Sequence, residues 1–134
     1  MLKTKPKVVV DTNLWLSFLI NGSLKEIFDF FEKNKVSFFI TNELVSEIID
    51  TGLKAKFRKY FEVDDLLMLI NILTEKGQFI IPISVVKICR DKSDDFLLGI
   101  SKDANADFLL TGDKDLLELK QFEKTQIITY QQFF

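Results

Sequence analysis

Five short apolar runs constrain this chain most: Val8–Val10, Val36–Ile40, Phe79–Ile83, Phe108–Leu110 and Gln126–Thr129. They are mostly continuous rather than alternating. A strand that is apolar on both faces has both faces covered, as in a parallel sheet held between helices. Helical stretches separate the runs. Ser23-Leu24-Lys25-Glu26 reads as a capping box opening a helix with Leu24, Ile27, Phe28 and Phe31 inside. Thr41 can cap the next helix, whose stripe is Leu44, Val45, Ile48 and Ile49, and Gly52 can end it. Asp64 to Lys76 has acids in its first turn, a lysine in its last, and Gly77 after it. Ser93 can cap a helix running to about Ala104. This alternation predicts a three-layer α/β/α sandwich with a central parallel sheet of about five strands. The length suits a single domain over residues 1–134. In such a fold the site lies beyond the carboxyl ends of the strands.

Composition removes most chemistries. There is no histidine, which excludes Ser-His-Asp triads, Cys-His pairs and histidine-ligated zinc. Cys89 is the single cysteine, so thiolate zinc clusters, iron–sulfur centres and an internal disulfide are also excluded. A reducing cytosol suits such a chain, and the expected location is cytoplasmic. The opening Met1-Leu2-Lys3-Thr4-Lys5-Pro6-Lys7 is basic, but only Val8, Val9 and Val10 follow it, too few for a signal region. The stretch Leu14 to Ile20 is too short to span a bilayer. A net charge of −2 argues against a strongly basic nucleic-acid binder. It is compatible with a nucleic-acid enzyme whose carboxylates carry metal ions.

The acids fall at informative places. Asp11 directly follows Val8-Val9-Val10, at a strand's carboxyl end, where Asp11-Thr12-Asn13 can be either a helix-capping turn or part of a site. Asp95 and Asp113 are 18 residues apart. About ten helical residues descend roughly 15 Å at ~1.5 Å each, and a strand at ~3.3 Å per residue climbs back. The two carboxylates therefore return to one edge. Glu47 lies about two turns into its helix, at the margin of the apolar stripe, with Glu43 one turn earlier. On pattern alone either glutamate reads as a solvated charge.

Four blocks in order resemble the PIN-domain family, particularly the bacterial PIN proteins classed as toxins of toxin–antitoxin pairs. They are Val8-Val9-Val10-Asp11-Thr12-Asn13; Thr41-Asn42-Glu43-Leu44-Val45-Ser46-Glu47-Ile48-Ile49; Cys89-Arg90-Asp91-Lys92-Ser93-Asp94-Asp95-Phe96-Leu97-Leu98; and Thr111-Gly112-Asp113-Lys114-Asp115-Leu116-Leu117. The end, Ile127 through Phe133, is similar to the family's closing segment, so the resemblance covers the whole chain. It departs mildly at Gly99-Ile100-Ser101, where relatives carry alanine-rich residues; that touches helix packing, not chemistry.

The resemblance implies metal-dependent hydrolysis of phosphodiester bonds in single-stranded or structured RNA, with Asp11, Glu47, Asp95 and Asp113 as the metal-binding and catalytic acids. Asp11 is the expected central ligand, flanked by Asp95 and Asp113; Glu47 binds metal or holds a metal-bound water. Asp94 is one residue from Asp95 and is an alternative to it, and Asp115 can support or replace Asp113. Thr12, Asn13 and Thr111 are expected to orient these acids through hydrogen bonds. Oxygen-only ligands select Mg²⁺ or Mn²⁺. Lys54, Lys56, Arg58 and Lys59, interleaved with Phe57 and Tyr60, read either as a phosphate-contacting patch or as a solvated helix face. Trp15 with Leu14, Leu16, Phe18 and Leu19 reads as core or subunit interface. RNA, an antitoxin protein and a second copy of the chain are the expected partners. The competing function is a PIN-fold module that binds nucleic acid or protein with little catalysis. A phosphatase with a strand-end aspartate nucleophile usually needs a second acid two residues on, where this chain has Asn13.

Overall fold

The computed structural model describes residues 5–134, so Met1 to Thr4 of the basic opening stretch lie outside it. Strand β1 (Lys7–Val10) carries Val8, Val9 and Val10, none more than 1% exposed. It is flanked by β2 (Ser37–Ile40) and β4 (Phe108–Leu110), both parallel to it. Beyond them lie β3 (Gln78–Phe79) and β6 (Thr125–Ile128), also parallel to their neighbours, and β5 (Gln121–Phe122), antiparallel to β6. The order is β3-β2-β1-β4-β6-β5. This is the expected mixed α/β architecture with a mostly parallel sheet, and β5 brings the strand count to six.

Helices cover both faces. Val8 and Val10 pack into a core built from α1 (Thr12–Asn21), α2 (Leu24–Lys33), α4 (Val63–Lys76) and α7 (Tyr130–Phe133). Val9, on the other face, joins Leu97, Leu98 and Ile100 of α5 (Lys92–Asp103) and Leu116 of α6 (Lys114–Leu119). Helix α3 (Asn42–Gly52) contributes to both, through Ile48 and Leu44. The first core is aromatic. Trp15 stacks on Phe28 at 5.5 Å and meets Phe18, Phe31 and Phe38 edge-on or tilted. The abundant phenylalanine is thus largely interior, and Trp15 is core, not interface.

Several local expectations change. Ser23 makes no side-chain cap; its hydroxyl donates to the Phe18 carbonyl at 3.4 Å. The cause is the preceding turn, where Gly22 at φ 68° ends α1 and directs the next donors back to its last carbonyls. Helix α4 begins at Val63 rather than Asp64, and Asp65 accepts the Glu62 N–H at 2.9 Å. Helix α5 is capped by Asp91 rather than Ser93, the Asp91 carboxylate accepting the Ser93 N–H at 2.8 Å. The strand expected over Phe79–Ile83 ends at Phe79. Pro82 lacks a donor, and Asp103 captures the Ile83 and Ser84 N–H groups, so the chain leaves the sheet.

Replacing the central ring should test this core. Trp15→Ala is expected to lower the unfolding free energy by about 3–5 kcal/mol. Urea unfolding followed by circular dichroism measures it, since Trp15 is the single tryptophan.

Candidate metal centre

The carboxyl edge of the sheet gathers side chains from four elements. Asp11 follows β1 and caps α1; one carboxylate oxygen accepts the Asn13 N–H at 3.2 Å. Its other oxygen accepts the Thr111 hydroxyl at 2.7 Å, and the Thr111 oxygen accepts the Asp113 N–H at 3.0 Å. Asp113 caps α6, accepting the N–H groups of Asp115 and Leu116 at 2.8 and 3.2 Å. Thr111 and the Asn13 backbone thus each hydrogen-bond one oxygen of Asp11. A cleft of about 250 Å³ opens beside Asp11, Asn13 and Asp113.

Carboxylate oxygens of Asp94, Asp113 and Asp115 all lie within 4.8 Å of one another. Asp94 is buried on the first turn of α5. Asp95 is turned away from them, and this corrects the expected register. Its carboxylate accepts the Ile88 and Cys89 N–H groups at 3.0 and 2.8 Å. Neighbouring helix residues point roughly 100° apart. The chain entering α5 needs an acceptor for its two donors, and supplying it fixes Asp95 outward and Asp94 inward. Asp91, three residues before Asp94 and so on a similar face, lies close enough to raise the pKa values of Asp11, Glu47 and Asp94. The i, i+3 spacing of Asp91 and Asp94 was the sequence signal for this pair, and only Asp94 had been singled out.

Glu47 is half-buried, whereas Glu43 is exposed. Burial raises the Glu47 pKa first, and Asp11 and Asp91 add to it. The Thr12 hydroxyl lies beside it and opposes the rise; the hydroxyl is buried without a formed hydrogen bond among the described residues. Asp11 is raised mainly by burial, with Asp113 and Asp91 adding repulsion that its two hydrogen bonds oppose. Asp94 is pushed up to about 6, by burial first and then by Asp113, Asp91, Asp11 and Asp115. Arg90 answers part of this charge, its guanidinium donating to both Asp115 oxygens at 2.9 Å. Burial, reinforced by Asp95, raises the Cys89 thiol to about 11, which removes a thiolate nucleophile at neutral pH.

These residues fit a divalent cation. Every donor is oxygen, and several carboxylates lie together and hold each other's pKa up. The cationic patch is placed elsewhere. Lys54, Lys56, Arg58 and Lys59 are exposed just beyond the carboxyl end of α3, whose 11 residues run about 16 Å back from the sheet edge. Lys56 and Lys59 there lie over the rings of Phe57 and Tyr60.

A parallel sheet with buried and half-buried acids gathered beyond its central strands defines an α/β domain with an acidic metal-type centre. Residues 7–115 match the PIN domain, and the chain belongs to that family. PIN domains are a nuclease fold, and PIN nucleases generally use divalent metals. The chain is 32% identical over 127 residues to the uncharacterized protein MJ1680 of Methanocaldococcus jannaschii, covering 92% of this chain and 81% of that one. A domain of a functionally unknown protein from the same archaeon superposes with a TM-score of 0.54 at 19% identity, covering 91% of this chain and 90% of that one. That likeness concerns the fold. The sequence relative is archaeal, whereas the motifs had suggested bacterial toxins.

The two neighbouring aspartates should behave oppositely. Asp94 holds its proton more tightly folded than unfolded, so stability falls as pH rises from about 4 to about 6 and stays lowered above. Asp94→Asn is therefore expected to raise the melting temperature in EDTA at pH 7.5, with the gain vanishing near pH 4. The Asp95 pKa is lowered, chiefly by the Cys89 N–H, so its contribution is present at neutral pH and lost on acidification. Asp95→Ala should lower the melting temperature at pH 7.5. Thermal melts of both variants check the assignment; the reverse order would restore the Asp95 register.

Proposed function

We propose that this PIN domain is a Mg²⁺- or Mn²⁺-dependent ribonuclease, hydrolysing phosphodiester bonds in single-stranded or structured RNA. The observation that carries the reading is the convergence of Asp94, Asp113 and Asp115, with Asp11 tied to Asp113 through Thr111. Asp11, Asp94 and Asp113 would hold the cation, with Asp115 beside them. Bound there, the ion would supply positive charge for the phosphate oxygens and acidify the attacking water. Glu47, half-buried with a raised pKa and with the Thr12 hydroxyl beside it, would orient that water. Thr111 holds the Asp11 carboxylate, which lines the cleft. RNA rather than DNA as substrate rests on the motif resemblance.

The test is cleavage of defined, labelled RNA with Mn²⁺ or EDTA. Activity should require the metal. Asp94→Asn and Asp11→Asn should each reduce it by at least about a hundredfold, and Thr111→Val, which loses the hydroxyl's bonds to Asp11 and to the Asp113 N–H but no carboxylate, by roughly 10–100-fold. Cleavage that persists in EDTA, or wild-type protein that binds RNA without cutting, would overturn the nuclease reading in favour of a binding module.

The role proposed for this activity is that of a cytoplasmic toxin with a cognate antitoxin, the chain acting as a homodimer. No helix among the described residues is long and apolar enough to cross a membrane. Support for association comes from the apolar face of α4, where Val63, Leu67 and Met68 remain 40–51% exposed. Light scattering should give a dimer that Leu67→Lys dissociates. A monomer at all concentrations, with and without the product of a neighbouring small gene, would remove both partners.

A further inference from the structure

Residues 80–91 link β3 to α5 without regular structure. Two carboxylates of α5 hold this segment. Asp103 accepts the N–H groups of Ile83 and Ser84 and bonds the Ser84 hydroxyl, and Asp95 accepts those of Ile88 and Cys89. Gly99 lets the two approach: a Cβ there would stand 3.2 Å from the Ser84 carbonyl oxygen. Between segment and helix lies a groove of about 630 Å³. Val85, Val86 and Phe96 line it, and Lys87, Arg90 and Lys92 surround them with positive charge. Asp95, the acid in this lining, already accepts two backbone donors. Lys87 and Lys92 are exposed and form no ion pair among the described residues. Arg90 joins the groove to the acid cluster through its paired bonds to Asp115.

We propose that this groove holds the stretch of a single-stranded RNA flanking the bond to be cut, with Lys87, Arg90 and Lys92 contacting its phosphates. The inference rests on the ribonuclease reading and adds the substrate track to it. A negatively charged centre needs a nearby region that attracts a polyanion, and this cationic rim adjoins it directly. The apolar floor suits unpaired bases, which present flat faces that a duplex keeps stacked inside. The Lys54 to Lys59 patch lies beyond the carboxyl end of α3, and its cations form no ion pair with the acids among the described residues.

Fluorescence anisotropy of a labelled single-stranded RNA, measured in Mn²⁺ on the full chain carrying Asp11→Asn, tests the proposal. Adding Lys87→Ala with Lys92→Ala should weaken binding by about tenfold at low salt. It should also reduce the slope of log Kd against log salt by roughly 1.4, about 0.7 for each phosphate contact. Lys54→Ala with Lys56→Ala should change neither. Unchanged affinity and slope in the Lys87/Lys92 variant would overturn the groove, even where wild-type protein cleaves RNA. An equal loss on duplex RNA would overturn the single-strand track. Loss of poly-glutamate binding with RNA affinity intact would reassign the groove to an acidic protein segment. Groove-dependent RNA binding without wild-type cleavage would support the track while defeating the nuclease reading.

Discussion

The placement of every acid depends on the backbone ladder through β1. Its three valines are buried on both sides, so the strand can sit only at the middle of a covered sheet. The ladder continues past the last valine. The Asp11 N–H bonds the Leu110 carbonyl at 3.0 Å, and the Thr111 N–H bonds the Ile128 carbonyl at 3.0 Å. Those bonds set Asp11 and Thr111 side by side in adjacent strands, within reach of the 2.7 Å hydroxyl–carboxylate contact. A one-residue slip between β1 and β4 would exchange the faces of all three valines and separate this pair. Core packing and site geometry are consequently specified by the same register.

The edge built this way carries an electrostatic burden. Burial and mutual repulsion raise the pKa values of Asp11, Glu47 and Asp94, so the folded chain disfavours their charged forms. Local features limit the damage. The Thr111 hydroxyl and the Asn13 N–H stabilise charged Asp11, helix starts receive Asp91 and Asp113, and Arg90 pairs with Asp115. None cancels the repulsion at Asp94. A site retained against its own stability is typical of function rather than architecture.

Much of this was legible in the sequence. Continuous apolar runs revealed a parallel sheet because burial on both faces leaves that direct imprint. Asp11 was readable because it immediately follows β1, and Asp113 because it lies in the short turn after β4. The choice between Asp94 and Asp95 was not. It depends on where the Ile88 and Cys89 donors find an acceptor, which no periodicity displays. The groove between residues 80–91 and α5 was hidden for the same reason, since Phe79–Ile83 reads as strand until Asp103 draws it away. The Lys54 to Lys59 cluster left a phosphate-contacting patch and a solvated face both open, because charge density along the chain says nothing about which end of a helix faces the acids.

The Asp11–Thr111 contact joins residues 100 positions apart. Asp11 leaves the ribosome 100 residues ahead of its hydroxyl partner. Until Thr111 and the strand before it clear the exit tunnel, β1 lacks one of its two neighbours and its valines lie partly uncovered. Asp113 and Asp115 arrive later still. A nascent chain still short of these residues therefore has no assembled acidic cluster, so the centre forms only after β4 and the turn beyond it have been made.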